Sequence, residues 1–143
     1  MSGFGMASAD IEPLVLLHGL AMSGAVWDDV VPLLSTHHSV YAPTAVGHLG
    51  GPIAQRRPAT INYQVDWVES FMDEKGIERA HLAGNSMGAF VAIALARRGR
   101  ALSVSAFAPG ASGPWTTNRW ARPSPGCGGQ LQLLGFRGRL HPS

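Results

Sequence analysis

The pentapeptide Gly84-Asn85-Ser86-Met87-Gly88 has the G-x-S-x-G spacing of a nucleophile elbow. The spacing is a steric requirement. A serine on a very tight strand-to-helix turn needs room on both sides, and Gly84 and Gly88 supply it. The turn pushes the Ser86 hydroxyl above the sheet, at the positive end of the following helix, where it can attack an electrophilic carbon. A second segment suits the same chemistry. His18-Gly19-Leu20 closes an apolar run. A backbone amide there, paired with that of Met87, could hold the negative oxygen of a tetrahedral intermediate. His18 itself reads as a support for that loop rather than as a base.

These residues need elements to position them, and the pattern supplies such elements. Leu14-Val15-Leu16-Leu17 is a continuous apolar run, as expected of a strand buried on both faces of a parallel sheet. Ser23 can cap a helix carrying Val26, Trp27, Val30, Val31 and Leu34. His38–Ala42 reads as a second strand stopped by Pro43, and Thr44–Ala59 as a Gly/Pro-rich loop. Ile61, Val65, Val68 and Met72 recur at i, i+4, i+7 and i+11, widened by Phe71, with Asp66, Glu69, Asp73 and Glu74 on the wet face and Gly76 as the stop. Ala80–Ala83 is a short strand entering the elbow. Ala89–Ala96 is apolar all round, a buried helix with Arg97 and Arg98 at its negative end and Gly99 after it. Ser103–Ala108 is a fourth strand. The order β-α-β-loop-α-β-α-β specifies an α/β fold with a mostly parallel sheet and covering helices.

The sequence resembles the α/β-hydrolase superfamily. The resemblance lies in Leu14-Val-Leu-Leu-His-Gly-Leu, Trp27, Tyr41-Ala-Pro-Thr with Gly47-His48, and Ala83-Gly-Asn-Ser-Met-Gly-Ala, and it covers residues 12–109. It implies that the four strands are the family's third to sixth, in spatial order 4-3-5-6. It also implies Ser86 as nucleophile, Leu20 and Met87 as oxyanion donors, and His18, Gly19, Gly84 and Gly88 as support. Serine at the elbow, where dehalogenases and epoxide hydrolases of this fold carry Asp, implies transfer of an acyl group from an ester, thioester or related small-molecule substrate. Some positions depart from the family pattern. Asn85 stands where His is frequent, Thr44 where Asp is usual, and Leu49 in place of a Gly.

The larger departure is electrostatic. All nine acids fall within residues 1–78, whereas residues 79–143 hold eight arginines and neither Asp nor Glu. The family's acid and base follow the nucleophile in the order Ser, Asp/Glu, His. After Ser86 there is no acid, and His141 is the one later histidine. His48 and His81 are the other candidates for an unorthodox base. The expectation is a partial α/β-hydrolase fold whose acyl hydrolysis is impaired for want of acid and base. The alternatives are an inactive fragment or binding module, or a hydrolase completed by a partner chain.

Composition closes off other classes. With 143 residues, 45% hydrophobic, the chain is the size of one ordinary domain and apolar enough for a core. Residues 1–11 read as a flexible N-terminus and 12–109 as the core. Residues 110–143 contain seven Gly and four Pro and read as a disordered or frameshift-derived tail without a definable element. Cys127 is the lone cysteine, and His37 and His38 lack ligand partners at metal spacing, so no metal or other cofactor is expected. Arg119, Arg122, Arg137 and Arg139 read as solvated charge, without the aromatic interleaving of a nucleic-acid surface. No secretory leader or membrane span is legible, so a cytoplasmic protein is expected, self-associating through unpaired sheet edges.

Overall fold

The computed structural model describes residues 11–57 and 59–108, together with the backbone of 131–132. Its centre is a parallel sheet. β1 (Pro13–Leu17), β2 (Ser39–Tyr41), β3 (Ala80–Asn85), β4 (Ala101–Phe107) and β5 (Leu131–Gln132) lie in the spatial order β2-β1-β3-β4-β5. The first four strands reproduce the expected 4-3-5-6 arrangement, every pairing parallel. Leu14 to Leu17 are buried on both faces, which is why this strand reads as an unbroken apolar run. The short β5, paired with Val104 and Ser105, corrects the expectation that no element follows residue 110. Two residues are too few to leave a periodic signal in a Gly/Pro-rich stretch. The rest of the proposed tail, and residues 1–10 of the proposed N-terminal segment, lie outside the described residues.

The single helix expected after Ser23 is a second correction. The chain forms a 3-10 helix over Gly24–Trp27 and then a separate four-residue helix, α1 (Val31–Leu34). Pro32 explains the break. It lacks an N–H, and its ring would clash with the carbonyl four residues back, so a continuous helix cannot run through it; the first turn of a new helix accommodates it. Ser23 makes no side-chain cap bond, and Val26 and Val30 are exposed rather than part of a buried stripe.

Helix α2 (Ile61–Glu74) follows its periodicity closely, burying Val65, Val68 and Met72. It begins at Thr60, whose Oγ1 accepts the N–H of Tyr63 at 3.2 Å. Thr60→Ala is expected to destabilise the fold by about 1 kcal/mol, the usual worth of such a cap; a urea midpoint equal to the parent's would contradict it. Helix α3 (Met87–Arg97) is buried at Met87, Gly88, Ala89, Val91, Ala92 and Leu95. It packs against both α2 and the sheet, in one core with Val15, Leu17, Leu82 and Val104.

The two halves of the lopsided charge distribution meet at the ends of these helices. Arg98 Nη1 and Nη2 reach Glu69 at 2.6 Å and Asp66 at 2.8 Å. Arg100 reaches Asp73 at 2.6 Å, Glu69 at 3.5 Å and the Ile77 carbonyl at 2.9 Å. The hydrogen bonds from Glu69 and Asp66 raise the Arg98 pKa above its ordinary value. Acids that read as a wet face therefore anchor the turn leading into β4. Each exposed pair contributes little alone, but the shared Glu69 couples them.

Candidate active site

Ser86 stands between β3 and α3 with φ 53° and ψ −111°. That left-handed backbone costs a non-glycine residue on the order of 1–3 kcal/mol and survives only where its surroundings enforce it. The enforcing contacts are visible. The Ser86 N–H donates to the Phe107 carbonyl at 3.0 Å, and its carbonyl accepts from the N–H groups of Ala89 and Phe90. The side chain does not cap the helix and makes no hydrogen bond among the described residues. Among the described residues its hydroxyl is thus unengaged, at the positive end of α3.

Gly84 and Gly88 are where the chain crosses itself. A Cβ on Gly84 would lie 2.2 Å from the Gly88 carbonyl oxygen, and one on Gly88 would lie 2.1 Å from the Leu17 oxygen and 2.8 Å from that of His18. The start of α3 thereby touches the end of β1. Gly19 behaves differently. A Cβ there would meet Ser86 Cβ and the Asn85 oxygen at 3.5 Å, ordinary contact distances. What Gly19 shows is proximity: the loop after β1 lies directly against the serine.

Leu20 and Met87 both line an open cleft of about 630 Å³, together with Met22, His48, Leu49 and Gln64. Leu20 is exposed and Met87 buried. The Met87 N–H belongs to the first turn of α3, where donors have no intrahelical acceptor. The Leu20 N–H makes no backbone bond among the described residues. Ala21 at φ 60° turns the loop, closed by the Met22 N–H on the Gly19 carbonyl at 3.3 Å.

His18 is buried beneath the loop with both ring nitrogens engaged. Nε2 accepts the Ala45 N–H at 2.8 Å, and Nδ1–H donates to the Gly19 carbonyl at 2.8 Å. These partners fit the neutral ring alone, because a proton on Nε2 would break the bond to Ala45. Burial lowers the His18 pKa below its ordinary 6.5, the Gly19 bond opposes that shift, and the His48 ring, centred 5.0 Å away, adds to it. The sign for stability follows. Above pH 6.5 both folded and unfolded chains hold His18 neutral; below it the unfolded chain takes up a proton that the folded chain refuses. Stability from this residue is therefore complete above 6.5 and falls on acidification, by at most about 1.4 kcal/mol per pH unit, until the folded ring protonates. Urea midpoints at about pH 7.5 and pH 5.5 should diverge more in the parent than in His18→Asn; equal divergence would refute this.

Gln64 escaped the sequence pattern. It is buried, donates through Nε2 to the Val46 carbonyl at 2.9 Å and leaves Oε1 without a partner among the described residues. The signal was a polar residue at i+3 from Ile61, inside an otherwise apolar stripe. Of the other candidates for a base, His48 lies on the cleft, whereas His81 lies on β3, half-buried and bonded to Ser103 and Glu12. His141 lies outside the described residues. Among the described residues there is no group of acids, histidines and cysteines that could hold a metal, and no helix long and apolar enough to cross a membrane.

Comparisons with known proteins bear on this geometry. A family model described as the alpha/beta hydrolase family matches residues 14–142. A pimeloyl-[acyl-carrier protein] methyl ester esterase of Aeromonas hydrophila is 36% identical over 83 residues, 58% of this chain and 31% of that protein. An epoxide hydrolase of Mycobacterium tuberculosis is 52% identical over 56 residues, 39% of this chain and 24% of that protein. Among solved structures, an enol-lactonase from Burkholderia xenovorans aligns with a TM-score of 0.63 and 31% identity, over 70% of this chain and 39% of that one. The chain spans roughly a quarter to two-fifths of the length of these proteins.

Proposed function

The chain belongs to the alpha/beta hydrolase family, and from that premise we propose that Ser86 is the nucleophile of a serine hydrolase acting on ester-type acyl bonds of small molecules. One observation carries the proposal: a serine at φ 53° on the strand-to-helix turn, its hydroxyl without a partner among the described residues, at the start of α3 with Met87 next in the chain, and against the loop that carries Leu20. Attack on a carbonyl carbon would place the developing oxygen charge between the Leu20 and Met87 amides. His18, Gly19, Gly84 and Gly88 serve as support.

The chemistry of serine selects among the activities named for the relatives. Attack by a carboxylate on an epoxide gives an ester, which water can cleave. Attack by a serine hydroxyl would give an ether, which has no carbonyl for water to attack and would end the cycle. Acyl substrates give an acyl-serine that hydrolyses. Esterase and lactonase relatives are therefore better guides for Ser86 than the epoxide hydrolase.

Base and acid set the rate. Because no acid follows Ser86 in the 143 residues, we infer that acyl turnover by this chain alone is impaired. The same observation favours a second reading, an inactive piece that keeps the floor of the pocket. Assaying p-nitrophenyl esters beside a styrene-type epoxide tests both. Slow, Ser86-dependent release of p-nitrophenol is expected; diol formation without ester cleavage would overturn the acyl assignment, and no Ser86-dependent release would favour the inactive piece.

A further inference from the structure

At the opposite end of the strands, three residues far apart in sequence form a hydrogen-bonded relay. The sheet register pairs Leu14 of β1 with His81 of β3, and His81 with Ser103 of β4, while Glu12 stands just before β1. His81 Nδ1 lies 2.7 Å from Ser103 Oγ, and His81 Nε2 lies 2.8 Å from Glu12 Oε2. The carboxylate can only accept, so in the neutral ring Nε2–H donates to Glu12 and the Nδ1 lone pair faces the Ser103 hydroxyl. This is a nucleophile, a base and an orienting carboxylate in sequence, the arrangement by which a base activates a serine hydroxyl in serine hydrolases. His38 packs edge-on against His81 with ring centres 5.1 Å apart, and its Nδ1 lies 3.3 Å from the Glu12 carbonyl oxygen. The relay is open to reagents: the His81 side chain is 25% exposed, that of Glu12 55%, and Ser103 is half-buried.

We propose that Ser103 is a second nucleophile, independent of Ser86, that takes activated acyl-type electrophiles such as phosphonyl fluorides. Five residue steps along β3 separate His81 from Ser86, about 16 Å at the rise of a β-strand, so the two sites do not share a substrate. In the step, Ser103 Oγ attacks phosphorus and an O–P bond forms. The P–F bond breaks, fluoride leaves with the electron pair, and the hydroxyl proton passes to His81 Nδ1 and then to water. Ser103 sits inside β4, and among the described residues no helix begins next to it, so the relay supplies a nucleophile and a base but no elbow. The outcome is a stable adduct rather than turnover.

Fluorophosphonate labelling of the full chain, mapped by tandem mass spectrometry, tests this in the Ser86→Ala background. An adduct on Ser103 is expected, forming about 100-fold more slowly in His81→Phe, the low end of what a general base contributes, and about tenfold more slowly in Glu12→Gln, which keeps an acceptor but not the charge. Glu12→Asp, which keeps the charge, should label faster than Glu12→Gln. Glu12 is exposed, so its variants probe the relay without disturbing the core. No adduct on Ser103, or rates unchanged in both His81→Phe and Glu12→Gln, would overturn the proposal. An adduct on Ser103 in a parent protein that shows none on Ser86 would support this inference while removing the assignment of Ser86.

Discussion

Gly88→Ala is expected to destabilise the protein by about 4 kcal/mol or more, although alanine is the better helix former. The two effects have opposite signs and unequal size. Placing alanine within a helix gains about 1 kcal/mol over glycine. Against that, a Cβ on Gly88 would stand 2.1 Å from the Leu17 carbonyl oxygen and 2.5 Å from its carbon, and neither can swing away as a flexible side chain could. Leu17 is buried and paired with Gly84 in the ladder of β1 and β3, so relief requires moving α3 away from the sheet. That movement would also separate Met87 from the loop carrying Leu20, taking the site with the fold. Gly19→Ala is the control, because its Cβ meets nothing closer than 3.4 Å, and it should cost less than about 1 kcal/mol. Urea unfolding of both variants decides the matter. Equal midpoints for Gly88→Ala and the parent would show that the close approach does not govern the junction.

The same contact explains what could be read in the sequence. The elbow was legible because its demand is local: glycine, serine and glycine at fixed spacing, a strand before and an apolar helix after. β1 was legible because burial on both faces leaves an unbroken apolar run, and α2 because a half-buried helix must repeat near 3.6 residues. The break at Pro32 was equally local, yet the apolar spacing from Val26 to Leu34 masked it. Contacts made by register were not legible. Nothing near Gly24 indicates that its missing side chain leaves room for the Ala42 carbonyl, which a Cβ would approach to 2.1 Å. Nor could spacing show that Arg98 and Arg100 answer the acids of α2, or that Glu12, His81 and Ser103 share one hydrogen-bonded row. The absence of acids after Ser86 thus has two consequences. Within these 143 residues it leaves the acid position of the family's Ser, Asp/Glu, His order unfilled, and it leaves Arg98 and Arg100 to pair backwards with the acids of α2.

Ser86→Ala is expected to abolish the fluorophosphonate adduct at the elbow completely, yet to lower p-nitrophenyl ester turnover only about tenfold. The contrast rests on how triad groups act. In an intact triad, removing the serine costs about as much as removing all three members, near 10⁶-fold, because none works without the others. What remains, about 10³–10⁴-fold over water, comes from oxyanion donors and binding. The groups proposed for that role here, the amides of Leu20 and Met87, and the cleft these residues line do not depend on the Ser86 side chain. His18 cannot supply the base, since its Nε2 already accepts the Ala45 N–H. The Ser86 hydroxyl nevertheless has no partner among the described residues and lies at the N-terminus of α3, where the helix favours its developing negative charge, so a reactive phosphonyl fluoride should find it slowly. Site-specific mass spectrometry of the adduct, beside steady-state hydrolysis by parent and variant, measures both quantities. A parent protein without an adduct on Ser86 would overturn its assignment as nucleophile. A fall in turnover near 10⁶-fold would instead show that a competent base already reaches Ser86, and the proposed impairment would be wrong.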